Sequence, residues 1–247
     1  MARQARGLSA TGFYHIVFRG INRQHLFEDE IDFLYFLESL RRLKTETAFE
    51  LHAYCLMSNH VHLLIKESKM GDISLVMKRL LTKYAMYFNR KYERNGALIA
   101  SRYKSQPVEV DEYFIPLIRY IHQNPIKAGI VGTLEEYRFS SYRDYVHGGT
   151  LTDTDFSLGL LGKDEWLRLH QVSANDHFDV SGKINPSEEE IRRKILRCTE
   201  GSEPHEIAAW SKAERDTLLR QLKEKEGLSI RQIERATGIS RGVIARS

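Results

Sequence analysis

The chain has 247 residues and a mass of 28.7 kDa, room for one full domain and a small second one. Its 42% hydrophobic content supports a packed core, and a formal charge of +4 with a pI near 8.9 suits a polyanionic partner without identifying one. With only Cys55 and Cys198, far apart, a disulfide framework and a cysteine zinc site are both excluded, and no stretch approaches the roughly 20 apolar residues of a bilayer span; the expectation is a reduced, cytoplasmic protein without a membrane partner.

Phe13–Arg19 is aromatic and β-branched and reads as a first strand, closed at Gly20-Ile21-Asn22-Arg23. From Asp29 to about Thr45 the apolar residues Ile31, Leu34, Leu37, Leu40 and Leu43 keep a helical spacing, with Asp29 placed to cap. Phe49 to Met57 is a second strand, and the turn at Ser58-Asn59 folds it into a hairpin with the stretch His60–Ile65. Gly71-Asp72 opens a long helix through Ile73, Val76, Leu80, Tyr84, Tyr87 and Phe88 that ends near Asn95-Gly96. Pro107–Val110 reads as an edge strand. A further helix starts at Asp111-Glu112 and carries Phe114, Leu117, Ile118 and Ile121 up to Asn124-Pro125.

The order β-α-β-β-α-β-α predicts an α+β, ferredoxin-like domain over residues 1–147: an antiparallel sheet with helices on one face and the other face open for binding. Residues 148–186 read as a connecting region with some helix. A helical domain follows over 187–247, beginning with a capping box between Ser187 and Glu190 ahead of Ile191, Ile195 and Leu196, and continuing with a helix from Trp210 to Lys225. From Gly227 to Ser247 a short helix, a turn at Gly238, a capping residue at Ser240 and a second short helix make a helix-turn-helix pattern. Four arginines, Arg231, Arg235, Arg241 and Arg246, against Glu234 leave that stretch at net +3, which favours phosphate contact; the alternative is a packing module for an oligomer.

The chemistry centres on Ser58-Asn59-His60-Val61-His62-Leu63-Leu64-Ile65. In a strand His60, His62 and Leu64 point one way and Val61, Leu63 and Ile65 the other, whereas in a helix the two imidazoles would sit about 200° apart. The pair therefore asks for a metal ion, against the plainer reading of one solvated histidine beside one held by a carbonyl. Asn124, one helical turn beyond Tyr120, offers an amide oxygen that with two imidazoles suits Mn²⁺ or Mg²⁺ better than Zn²⁺. Gln123 is a rival ligand, and Asn124, preceding a proline, could instead cap the turn that follows. The Tyr120 phenol would be the nucleophile, with Tyr113 two turns earlier as its rival and Lys83 or Lys104 as a cation to ease ionisation.

His60-Val61-His62, followed downstream by Arg119-Tyr120-Ile121-His122-Gln123-Asn124-Pro125-Ile126-Lys127-Ala128-Gly129, resembles the single-tyrosine HUH transposases, in particular the REP-associated tyrosine transposase branch. Tyr14-His15-Ile16-Val17-Phe18-Arg19-Gly20, Asn22-Arg23 and Arg102-Tyr103-Lys104-Ser105 are similar to further signatures of that family, and the resemblance spans roughly residues 8–147. It implies a metal-dependent single-stranded DNA endonuclease and strand transferase: Tyr120 forming a 5′-phosphotyrosine and freeing a 3′-hydroxyl, and His60, His62 and Asn124 holding Mg²⁺ or Mn²⁺. The implied partner is a DNA hairpin of the repetitive extragenic palindrome type, bound by a monomer or homodimer. Arg19, Arg23, Lys83, Arg102, Lys104 and Arg119, and in the tail Arg231 and Arg241, are candidate DNA contacts. The tail departs from the short members of the family. Two other readings compete: a DNA-binding regulator without catalysis, and a zinc hydrolase barrel, which would need eight strand-helix repeats that the chain lacks.

Overall fold

The computed structural model describes residues 8–100, 102–108, 113–172, 177–178, 184–185, 188–199, 201–224, 226, 228 and 230–247. The chain divides into two compact units, one running to Ala174 and the other taking in Ile184–Ser247.

In the first unit the strands β1 (Phe13–Arg19), β2 (Glu50–Met57), β3 (His60–Lys66) and β4 (Lys104–Pro107) form one antiparallel sheet in the order β2-β3-β1-β4. The helices α1 (Glu30–Thr47), α2 (Asp72–Lys91) and α3 (Phe114–Lys127) complete the β-α-β-β-α-β-α succession. Asp29 caps α1 as the sequence predicts, in a reciprocal box with Asp32. The hairpin turns at Ser58-Asn59. β4 falls earlier than expected, at Lys104–Pro107; Glu109 and Val110, and the expected helix start at Asp111-Glu112, lie outside the described residues, as does Ser187 of the second capping box.

Alternation along the strands sorts the side chains. Tyr14, Ile16, Phe18, Val61, Leu63 and Ile65 face a core that α1 and α2 close with Phe36, Leu40, Leu43, Ile73, Val76, Met77, Leu80, Tyr84 and Phe88. The buried stripe of α1 is rotated from the expected one: Phe36, Leu40 and Leu43 go in with Phe33 packed against them, while Ile31 and Leu34 are exposed. Phenylalanine rings bury more area than leucines, so the helix turns to place them inward.

The second face is not open, contrary to the sequence expectation. α3 packs across β2 and β3 on that side, burying Phe114, Leu117, Ile118 and Ile121, and its first turn joins a ring cluster in which Phe114 lies 5.0 Å from Phe13 and 5.8 Å from His52. Downstream, α4 (Tyr142–His147), α5 (Asp155–Leu161) and α6 (Lys163–Gln171) extend the same unit. Trp166 stacks between Tyr145, at 4.2 Å, and His170, at 3.5 Å. The mostly apolar face of α3 explains the covering: left in water, it and the apolar residues of the sheet would both stay hydrated.

The second unit contains α7 (Glu188–Cys198), a 3-10 turn over Pro204–Ala209, α8 (Lys212–Glu224), α9 (Ile230–Thr237) and α10 (Arg241–Arg246). Its core is aliphatic: Ile191, Ile195, Ile207, Leu218, Leu219, Leu222, Leu228, Ile233, Ile239 and Ile244. Gly238, at φ +73°, makes the turn between α9 and α10. Ser240 stands at the N-cap of α10 without a side-chain capping bond. No helix among the described residues is long and apolar enough to cross a membrane.

Candidate active site

Strand register assembles one wall of the site. Arg19 pairs with His60, Val17 with His62 and His15 with Leu64 across β1 and β3, while Lys104 of β4 pairs with Val17 from the other side. Cross-strand partners share a face, so His15, Arg19 and Lys104 stand on the side of His60 and His62. His15 was not singled out from the sequence, because its neighbour in space lies 47 residues away and only the pairing of β1 with β3 brings the rings together. His15 Nε2 and His62 Nδ1 are 3.0 Å apart, with both residues buried. The loop after β1 folds tightly back: a Cβ at Gly20 would lie 2.1 Å from the Gln24 carbonyl oxygen, which explains the glycine after Arg19.

α3 supplies the opposite wall, and its chemistry follows from Asn124-Pro125. The helix runs through Pro125 to Lys127, so the carbonyl of Ile121, four residues before the proline, has no backbone N–H to accept from. The side-chain nitrogen of Asn124 donates to that carbonyl at 3.3 Å and to the Tyr120 carbonyl at 2.8 Å. With its nitrogen committed to the helix, the amide presents its oxygen outward, and Asn124 hydrogen-bonds His60. Asn124 therefore does not cap a following turn; it repairs the proline's gap and faces the histidine pair.

Tyr120, one turn before, is 8% exposed, and its ring stands edge-on 5.6 Å from the His62 ring and 6.4 Å from His15. Lys127 Nζ lies 5.1 Å from the centre of the Tyr120 ring on the same helical face, a cation beside the phenol that the sequence reading overlooked. Tyr113 is exposed at the N-cap of α3, two turns from this cluster. Gln123, the rival ligand, turns away: its side-chain nitrogen donates to the carbonyls of His170 and Val172 at the end of α6, where Arg119 also donates to the Leu169 carbonyl at 3.4 Å. Lys83 belongs to α2, on the other side of the sheet, where it lines a groove of about 990 Å³ with Arg42, Lys78, Arg79 and Arg90; it is not the cation at the phenol. Of the other cations singled out, Arg23 and Arg102 are exposed near the ends of β1 and β4.

Burial keeps the imidazoles neutral. Desolvation, aided at His60 by the nearby Arg19 guanidinium, lowers His15 and His60 to about 4, and His62 lies well below its ordinary value from burial first and from the neighbouring His15 second. A neutral imidazole is the form that offers a lone pair to a cation. His62 Nε2 is buried without a hydrogen-bond partner among the described residues. Among the described residues no group of three His, Cys, Asp or Glu side chains is set for a metal ion; what the fold gathers here is two imidazoles and an amide oxygen. These three groups would suit a hard divalent ion such as Mg²⁺ or Mn²⁺.

Residues 10–124 match the family model described as transposase IS200 like. Among solved structures, a REP-associated tyrosine transposase bound to a REP hairpin aligns with a TM-score of 0.50 and 19% identity, over 62% of this chain and 94% of that one, a likeness of fold. A candidate transposase from Deinococcus radiodurans R1 aligns at a TM-score of 0.35 and 22% identity, over 49% and 97% of the two chains, too slight a likeness to weigh. No curated protein matches. The matched segment, somewhat under half of the chain, takes in the whole sheet and α3 as far as Asn124, and over that segment the chain is similar to IS200-like transposases.

Proposed function

We propose that the protein is a divalent-metal-dependent endonuclease and strand transferase for single-stranded DNA, working through a covalent phosphotyrosine, with hairpins of the REP type as its substrate. The observation that carries this reading is the placement of the Tyr120 ring 5.6 Å from His62, on the helix whose Asn124 bonds His60. A buried phenol, two neutral imidazoles and an outward-facing amide oxygen have no joint structural task, and together they match what a phosphodiester transfer requires. The first unit is read as a ferredoxin-like catalytic domain, with the sheet order β2-β3-β1-β4 in support.

In this reading His60, His62 and Asn124 hold Mg²⁺ or Mn²⁺, which when bound polarises the scissile phosphate and offsets charge on its oxygens. The Tyr120 oxygen bonds to phosphorus as its proton passes to solvent, and the bond from phosphorus to the 3′ oxygen breaks, that oxygen leaving as a 3′-hydroxyl after taking a proton. Lys127, a cation over the Tyr120 ring, is placed to meet the negative charge of the incoming phosphate. The phosphotyrosine retains the energy of the phosphodiester, so a new 3′-hydroxyl can reverse the step on another strand without a nucleotide cofactor. Arg19, on the histidine face, and Lys104, exposed on the edge strand, are suited to backbone phosphates, with Arg23 and Arg102 at the strand ends. Arg119 serves the end of α6 and is a weaker candidate. α9 and α10, two short helices either side of Gly238, are read as a helix-turn-helix, with the exposed Arg231 as its candidate duplex contact.

Incubation with a REP-type hairpin oligonucleotide and Mn²⁺ is expected to give a denaturation-resistant protein–DNA adduct that peptide mapping places on Tyr120. Tyr120→Phe abolishes the adduct and retains hairpin binding. An adduct mapped to Tyr113, or undiminished adduct in the Tyr120→Phe protein, overturns the assignment.

A further inference from the structure

Within the proposed metal site, His62 presents one nitrogen to the ion and has the other engaged by a residue to which no role has been given. We propose that His15 is a positioning residue: its Nε2 accepts the Nδ1–H of His62, fixing that ring's tautomer and orientation so that the Nε2 lone pair faces the metal position. The inference rests on the reading of His60, His62 and Asn124 as ligands, and adds a second layer to it.

The geometry leaves little choice. His62 Nδ1 is 3.0 Å from His15 Nε2, while His62 Nε2 is buried with no hydrogen-bond partner among the described residues. A neutral imidazole carries one proton on one of its two nitrogens. Were it on Nε2, a buried N–H would point at the cation's place without an acceptor, and no lone pair would be available there. With the proton on Nδ1 the hydrogen bond to His15 forms and Nε2 is free to ligate, the arrangement by which metal-bound histidines are commonly oriented.

His15 is suited to accept. It is 3% exposed, so bulk water does not compete with His62 for its Nε2. It sits diagonally from His62 on the paired strand, since Val17 opposes His62 and His15 opposes Leu64, and the two rings stack at 5.3 Å with planes 15° apart. Both rings hang from the central strands of the sheet, which fixes them better than a loop would. Tyr120 lies beyond them, with its ring edge-on to each.

Two substitutions separate the positioning role from packing. His15→Leu keeps the site filled and apolar but removes the acceptor; His15→Gln places an amide oxygen where Nε2 stands and restores it. Two readouts on the full chain without DNA are used: long-range ¹H–¹⁵N NMR of the His62 ring in the metal-free protein, and Mn²⁺ titration followed by loss of the free-ion EPR signal, with His62→Ala as control. The wild type is expected to hold His62 as the Nδ1–H tautomer. His15→Leu shifts it toward Nε2–H and weakens Mn²⁺ binding about 10- to 100-fold, and His15→Gln recovers most of both. Unchanged tautomer and Mn²⁺ affinity in a folded His15→Leu protein overturn the proposal, as does failure of His15→Gln to recover either. Mn²⁺ affinity equal in wild type and His62→Ala refutes the metal reading itself, and the His15 role with it, whatever the NMR shows of the tautomer.

Discussion

Asn124 has two tasks that one pair of substitutions can pull apart. Its amide nitrogen stands in for the N–H that Pro125 lacks, and its oxygen faces His60. Asn124→Ala strips the Ile121 carbonyl of its donor, in a residue that is fully buried, at a cost of about 1–3 kcal/mol. Alanine is the better helix former by about 0.5 kcal/mol, so the net loss is about 0.5–2.5 kcal/mol. At about 2–4 °C per kcal/mol for a domain of this size, Tm falls by about 1–10 °C. Asn124→Ala/Pro125→Ala restores a backbone N–H to Ile121 and removes the proline's clash, returning Tm to the wild-type value or above. Neither protein regains the oxygen, so Mn²⁺ binding stays weakened on the order of tenfold or more in both. Melting is followed through Trp166 in a Trp210→Phe background, since Trp166 and Trp210 are the two tryptophans and only the former lies in the first unit. A double variant as unstable as Asn124→Ala refutes the repair of the proline gap; wild-type Mn²⁺ affinity in either protein refutes the ligand role.

Two further predictions use other parts of the molecule. His170, stacked on Trp166, is lowered to about 3 chiefly by burial, so between pH 6.5 and about 3 the unfolded chain binds a proton that the folded one refuses. Its share of stability is complete above pH 6.5 and is lost as pH falls through that window: the urea midpoint drops from pH 7 to pH 5, less so in His170→Gln, and an equal drop in both proteins contradicts the assignment. In the second unit Arg231 is exposed, whereas Arg241 is held by Glu234 at 2.5 Å. Arg231→Ala should reduce the slope of log K against log salt for duplex DNA by about 1, and Arg241→Ala by less; equal slopes in all three proteins would remove the tail from DNA binding.

The succession of strands and helices was legible in the sequence because it is written in local chemistry. Asp29 ahead of an apolar period, Ser58-Asn59 between two strand-like runs, and Gly238 between two short helices each act within a few residues, and the structure has α1, the β2–β3 hairpin and the α9–α10 turn there. The facing of His60 and His62 followed from the two-residue period of a strand. Errors arose where several faces competed for burial. Ile31 and Leu34 fit a helical stripe, yet Phe33 and Phe36 took the interior. The histidine face was expected open because no spacing within α3 reveals that its apolar side lies over β2 and β3.

What the sequence determined by itself is the inventory and its local geometry: two imidazoles on one side of a strand, and a tyrosine and an asparagine one turn apart on a helix. Tertiary structure alone decided which of the rival groups meet. It set Asn124 toward His60 and Gln123 toward α6, left Tyr113 exposed and buried Tyr120 against the rings, kept Lys83 on the α2 side of the sheet, and brought His15 to His62. The physical reason is range. Capping and alternation act over a few bonds, whereas contacts between residues 47 or more positions apart depend on strand register and on which face of a helix gains most by leaving water.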